Sequence, residues 1–277
     1  MPGTVVGARS TGVVAYGGGV TTIVVPYHQD ERLADALIPL GPDVEYLVLH
    51  PYLPEGDIWR RLLALDDAAA KQIAAAVQLG GRTTVISGDC LVALATLAGV
   101  QRAGLDPALI WFDAHGDVHT LETTTSGYLG GLSLRLALGA HAGLLAEPLG
   151  LRPLHEDRAV LVDGRDLDPP EAAFLAGSRV RRTTVPDLDP EALPPGPLIL
   201  HIDLDVIDSA EVPGLLFPAA EGPSKSQVLA AISRVLATGR VTVLDIACPW
   251  HPTHDGRVQI GRADLLAALL AAASAPA

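Results

Sequence analysis

Short apolar runs rich in β-branched residues alternate along the chain with longer Ala/Leu-rich stretches of helical period. The runs TTIVV (21–25), EYLVLH (45–50), TTVIS (83–87), ALIWFDAH (108–115), AVLVDGR (159–165), LILHIDLD (198–205) and VTVLDIA (241–247) read as strands. Between them, 57–80, 90–104, 224–239 and 261–275 read as helices. Strands that are apolar throughout and separated by helices predict an α/β fold with a parallel sheet covered on both faces. The stretches 145–157 and 186–197 read as connections, and no repeat or low-complexity segment interrupts a single domain over 1–277. Such folds place ligands beyond the carboxyl ends of the strands. Polar residues at those ends are therefore the candidates for chemistry.

Composition narrows the setting. Of 277 residues, 49% are hydrophobic and only 4% aromatic, so the core is built from Ala, Leu and Val, which suits helices on a sheet. The net charge is −13 with no basic run, which argues against nucleic acid or an anionic membrane as the main partner. An acidic surface for solubility explains most of that charge, and an acidic pocket for a cation is compatible with it. No apolar run reaches the ~18–20 residues of a membrane span. The start, MPGTVVGARSTG, lacks the charged head and long apolar segment of a signal peptide. Two cysteines are too few for a disulfide framework. The expectation is a soluble cytoplasmic protein with both cysteines reduced.

The strongest local pattern is WFDAHGDVHT, with Asp113, His115, Asp117 and His119 at alternate positions. In an extended strand end, such positions point one way and converge. A second run, HIDLDVID, repeats the spacing with Asp203 and Asp205. Carboxylates crowded at the rim of a buried sheet repel one another and resist desolvation unless cations or protons compensate. Helix capping accounts for one such aspartate, but poorly for four and a histidine. Oxygen donors with an imidazole favour hard or borderline ions such as Mn²⁺. The number of donors suits two ions, between which a water would be acidified at neutral pH. Spacing alone thus leads to metal-assisted hydrolysis. At SGDC, Cys90 follows a predicted strand, where packing, nucleophile, half-disulfide and metal ligand are all open readings.

The segments SGDC (87–90), DAHGD (113–117) and HIDLD (201–205) resemble, in order and spacing, the motifs G-G-D-H, D-A-H-x-D and S-x-D-x-D of the ureohydrolase family of arginases and agmatinases. The resemblance covers roughly residues 83–250. It implies a three-layer α/β/α sandwich with a mostly parallel sheet, and two Mn²⁺ per chain. Asp113 and Asp203 would bridge the ions, with Asp117 and Cys90 completing one shell and His115 and Asp205 the other. Cys90 would then stand where the family has a histidine. TTTSG (123–127) resembles the arginase loop whose serine, here Ser126, binds the substrate α-carboxylate. GRDLDPPE (164–171) resembles the segment whose second aspartate, here Asp168, receives the α-ammonium, with Glu171 supporting it through water. A plain N-cap with proline in the first helical turn is the other reading of that segment. His119 falls where arginases carry an asparagine near the carboxylate. Family members form trimers and hexamers, which implies a homo-oligomer without placing its contacts.

The departures point to the substrate. Gly130 stands where arginases have a proton-shuttling histidine, and Cys248 where a glutamate orients the guanidinium. A guanidinium is always cationic, so two divalent ions without that carboxylate should disfavour it. A hydroxyguanidine is less basic and needs no such counter-ion. With Cys90, this is most similar to the branch of the family that hydrolyses Nω-hydroxy-L-arginine to L-ornithine and hydroxyurea in D-cycloserine biosynthesis. Asp113 and Asp203 would hold the attacking hydroxide, and Asp117 would pass its proton to the departing nitrogen. An arginase, another guanidino-acid hydrolase, and a non-catalytic metal- or ligand-binding member remain alternatives. As a nucleophile Cys90 lacks an evident base. His28, His50, His141, His155 and His254 read as loop or surface residues, and Trp111 as core. His201, in place of a small residue of the motif, and His251 are unassigned.

Overall fold

The computed structural model describes residues 21–275; the N-terminal stretch MPGTVVGARSTG lies outside them. Ten strands follow in chain order among the described residues: β1 (Thr21–Val25), β2 (Tyr27–His28), β3 (Glu31–Arg32), β4 (Leu47–Val48), β5 (Thr83–Ser87), β6 (Ala108–Asp113), β7 (Ala159–Asp163), β8 (Arg181–Thr183), β9 (Leu198–Asp203) and β10 (Val241–Ala247). Helices α1 (Ile58–Leu79), α2 (Val92–Arg102), α3 (Ser133–Ala137), α4 (Ala146–Leu149), α5 (Pro169–Gly177), α6 (Lys225–Leu236) and α7 (Gly256–Ser274) connect them.

Eight strands pair in parallel in the order β4-β1-β5-β10-β9-β6-β7-β8, and β2 and β3 form a separate antiparallel pair. Central strands β5, β6 and β9 are buried at every position, as continuous apolar runs require when both faces are covered. One apolar layer joins Val85, Trp111, Ile199 and Val243 to α1 and α2. The other joins Ile86, Phe112, Ile202 and Ile246 to α6 and α7. This is the expected three-layer sandwich.

Helix starts follow their caps. Asp57 Oδ1 accepts from Arg60 N at 2.9 Å to open α1. At α6, Ser224 Oγ accepts from Gln227 N, and Gln227 Oε1 accepts from Ser224 N, a capping box. Asp255 accepts from Arg257 N, so α7 begins at Gly256, five residues before its apolar period suggests. The connection 145–157 contains α4, and Pro169 opens α5 one residue after Asp168.

Three strands stop two residues short of the expected 115, 165 and 205. At two of them the reason is one device. Asp113 Oδ1 accepts from His115 N at 2.7 Å, and Asp203 Oδ1 from Asp205 N at 2.8 Å. Asp89 Oδ1 does the same for Leu91 N at 2.9 Å after β5. Each aspartate replaces the ladder with a hydrogen bond two residues ahead, turning the chain. The donor side chains therefore converge through these turns, and not by strand alternation as their spacing suggests.

Candidate metal centre

The turns gather the predicted donors on the layer that contains Trp111. Ligand atoms of Cys90, Asp113 and Asp117 lie within 4.8 Å of one another, as do those of Asp113, His115 and Asp205. Asp113 belongs to both groups. Asp203 joins them through its Oδ2, 2.9 Å from Cys90 Sγ. That approach passes over β10, where Ala247 pairs in register with both Ser87 and Asp203 and presents only a methyl group. His115 Nδ1 lies 3.0 Å from Asp205 Oδ2. All but His115 are buried, and His115 keeps 27% of its side chain exposed, so the cluster opens on that side.

The electrostatics fit a cation. Burial, then the Asp113 and Asp203 charges, raises the Asp117 carboxyl well above its usual range. Burial, Asp205 and Asp113 do the same for Asp203. Asp205 is pushed up to about 7 by burial and Asp113, with His115 opposing. Burial alone would lower His115, but hydrogen bonds to Asp113 and Asp205 push it up to about 12. Burial and the neighbouring aspartates also raise the Cys90 thiol. His115 offsets part of this crowding and, with Trp111, holds Asp113 low despite its burial; the groups pushed up favour protons, which a divalent cation would displace.

Loading should therefore release protons, and apparent Mn²⁺ affinity should rise from pH 6 to pH 8. The metal-free protein should show the opposite trend in stability. Asp205 titrates higher folded than unfolded, so its stabilisation is lost as pH rises from about 4 to about 7. His115 acts in the same direction, its contribution present below 6.5 and lost toward 12. Chelator competition and thermal unfolding across that range check both trends; an affinity independent of pH contradicts them.

Around the cluster the site residues divide. His119 Nε2 lies 3.1 Å from Asp168 Oδ2, and its Nδ1 lies 3.1 Å from Thr123 Oγ1. His119, Asp168 and Glu171 form a third acidic group. Both Glu171 oxygens there accept backbone N–H groups, Oε2 from Asp168 and Oε1 from Val118. Asp168 caps α5 while 58% of its side chain faces solvent, so the cap leaves part of its carboxylate accessible. Ser126 is exposed, and its Oγ accepts from Tyr128 N.

Cys248 lies elsewhere: it is 1% exposed and belongs to the opposite apolar layer with Ile246 and Trp250, on the other side of the sheet from Cys90. The chain continues β10 by one residue, and one residue reverses the side of a strand. Burial, and then the Asp203 charge, raise its thiol. Both cysteines are free.

Other residues escaped the sequence reading. Arg165 bonds the carbonyls of Asp205, Val206, Ala219 and Ala220 and the Asp163 carboxylate, fastening the turn that presents Asp205. Its place beside a recognisable aspartate, in GRD, was the available signal. His28, read as a surface residue, stacks on Tyr128, which stacks on Phe217 at 4.5 Å, and Phe217 meets His115 edge-on. These rings come from β2 and from separate loops, and no spacing links them. The Tyr128 ring also explains Gly130: a Cβ there would lie 2.3–2.4 Å from its edge and hydroxyl. His201, unassigned from sequence, stands 3.3 Å from Cys90 Sγ, so Cys90 does have a basic neighbour.

A mostly parallel α/β sandwich with a buried, carboxylate-rich centre at its strand ends defines the class of protein. Residues 56–273 match the Arginase family, and the chain belongs to that family. It is similar to an Nω-hydroxy-L-arginine amidinohydrolase of Streptomyces lavendulae, 34% identical over 64% of this chain and 62% of that protein. An arginase of Bacillus caldovelox is 30% identical over 75% of this chain and 73% of its own length. The crystal structure of an arginase from Bacillus cereus shares the fold, with a TM-score of 0.76 at 21% identity, covering 93% of this chain and 99% of that one. Among the described residues no helix is long and apolar enough to cross a membrane.

Proposed function

We propose that this chain is a metal-dependent amidinohydrolase that cleaves Nω-hydroxy-L-arginine to L-ornithine and hydroxyurea, using two divalent ions, with Mn²⁺ as the assigned metal. Cys90, Asp113 and Asp117 would hold one ion, and His115 and Asp205 the other, with Asp113 and Asp203 shared. Bound there, the ions supply activation of water at neutral pH and polarisation of the guanidine carbon. The remaining chemistry belongs to the side chains. Asp168 and Ser126 meet the α-ammonium and α-carboxylate at the open rim, with His119 beside Asp168. Glu171 holds the Asp168 and Val118 backbones and so fixes the distance between rim and centre. Asp117, which sits beside the attacking oxygen in this reading, takes the proton that this oxygen gives up and passes it to the ornithine nitrogen as the bond from that nitrogen to the guanidine carbon breaks. Gly130 leaves no other side chain for that transfer at its position.

One observation carries the choice of substrate: the end of β10 offers no free carboxylate to meet a guanidinium. Asp245 is tied to His201 at 2.8 Å, and Cys248 lies in the opposite layer. A permanently cationic guanidinium would face two divalent ions unsupported, whereas a hydroxyguanidine can enter neutral. The similarity to the Streptomyces lavendulae amidinohydrolase supports this reading, and the similarity to arginases supports L-arginine as the second candidate. Metal-replete protein should give kcat/KM at least about tenfold higher for Nω-hydroxy-L-arginine than for L-arginine, equivalent to about 1.4 kcal/mol. Hydroxyurea and urea are measured side by side. A preference for L-arginine overturns the substrate assignment. Turnover of neither, with less than about one ion bound per chain after loading, would make the chain a non-catalytic member.

A further inference from the structure

Beneath the donors lies a second row of side chains that the mechanism above does not use. On β6, β9 and β10, Trp111, His201 and Asp245 are register partners, two residues before Asp113, Asp203 and Ala247 and hence on the same face. The row is fully buried, at 0% exposure for all three residues. Trp111 stacks on the His201 ring with centroids 3.7 Å apart. Asp245 Oδ2 lies 2.8 Å from His201 Nδ1, which donates to the carboxylate. The imidazole is thus fixed in plane and in rotation, with Nε2 facing Cys90 Sγ at 3.3 Å. Burying an aspartate and a histidine is costly unless they are well paired; here they pair with each other, and the imidazole's other nitrogen faces the sulfur.

The sequence carries an independent sign of the same pairing. Against the motif forms G-G-D-H and S-x-D-x-D, this chain has a small residue where the first ends in histidine, and a histidine where the second begins with serine. The two departures are 111 residues apart in the chain yet in contact in the fold. Here the imidazole stands one layer below the position of the sulfur.

We propose that His201, locked by Asp245 and Trp111, is a positioning residue for Cys90 Sγ, and that Cys90 and His201 act as a single exchanged pair in holding a divalent cation. The inference rests on the reading that Cys90 is a metal ligand. His201 directs the sulfur toward Asp113 and Asp117 and limits its rotation, in the way that outer partners orient metal ligands.

The test is Co²⁺ titration of the full chain, read by the thiolate-to-cobalt charge-transfer band and by chelator competition. The unsubstituted chain should show the band. His201→Ser should weaken Co²⁺ binding by about 10–100-fold and shift the band, and Asp245→Asn should move both in the same direction. Cys90→His alone should bind worse than Cys90→His/His201→Ser, because only the double variant removes the imidazole already occupying that space. The double variant should recover binding without the band. Thermal unfolding of the metal-stripped variants separates folding defects from these effects. A band and affinity unchanged in His201→Ser, or a Cys90→His effect equal in both backgrounds, overturns the pairing while Cys90 remains a ligand. No band in the unsubstituted chain at saturating Co²⁺ removes Cys90 as a ligand, and the proposal with it.

Discussion

Asp113→Ala is expected to lower turnover by well over about 100-fold, the upper end of what loss of an outer partner of a metal ligand costs. The reason is its double membership: among the described residues, Asp113 is common to the group with Cys90 and Asp117 and to the group with His115 and Asp205. Asp117→Ala or Asp205→Ala each disturbs one group, and Asp113→Ala disturbs both. The metal-free protein should tolerate the change well. Asp113 is among the charges that raise Asp117, Asp203 and Asp205, so removing it relieves repulsion. The cost to that form is the loss of two hydrogen bonds, from the Trp111 indole N–H to Asp113 Oδ2 at 2.9 Å and from His115 N to Asp113 Oδ1 at 2.7 Å. Metal analysis after loading should find both ions diminished, with near-normal unfolding of the stripped form. Retention of two ions, or of a tenth of the activity, would show that the centre does not depend on a shared carboxylate.

The second large effect is expected from Gly88→Ala. A Cβ at Gly88 would sit 2.4 Å from the Tyr27 carbonyl oxygen and 2.8 Å from its carbon. Those are backbone atoms, and they cannot rotate away. The same close approach lets Gly88 N donate to Tyr27 O at 3.0 Å. Crowding of this kind costs about 1–3 kcal/mol, and here the upper end applies because two segments have to separate. At about 2–4 °C per kcal/mol for chains of comparable size, Tm should fall by on the order of 10 °C. The displaced turn also carries Asp89 and Cys90, so metal affinity should fall with stability. A variant with unchanged Tm would mean that the β2 segment can withdraw freely from the β5 turn.

The fold was legible where burial is symmetrical. The apolar runs at 21–25, 83–87 and 241–247 coincide with β1, β5 and β10, because strands covered on both faces have no other pattern. It was less legible where a polar residue ends a strand. An aspartate that accepts a hydrogen bond two residues ahead has the same letters as one that continues the ladder, which is why β6 and β9 were read too long. The residues that cluster at the strand ends were visible because motif order and spacing survive without coordinates. The Arg165 clasp, the His28–Tyr128–Phe217 stack and the His201–Asp245 pair were not, since each joins segments that only the sheet order brings together. Cys248 shows the limit of alignment, since one position along a strand changes the layer into which a side chain points.

The sheet order has a consequence for how the protein is made. β10 lies between β5 and β9, although it is the last strand in the chain. Cys90, in the turn after β5, and Asp203, at the end of β9, meet across it although β5 and β9 have no direct pairing with each other. During synthesis all six predicted donors, from Cys90 to Asp205, emerge before the strand that joins their two halves of the sheet. Domains fold as units during synthesis, and pairing across long sequence separations is slow. The nascent chain is therefore expected to display these acids and the thiol before residues 241–247 can join the two halves of the sheet and enclose them.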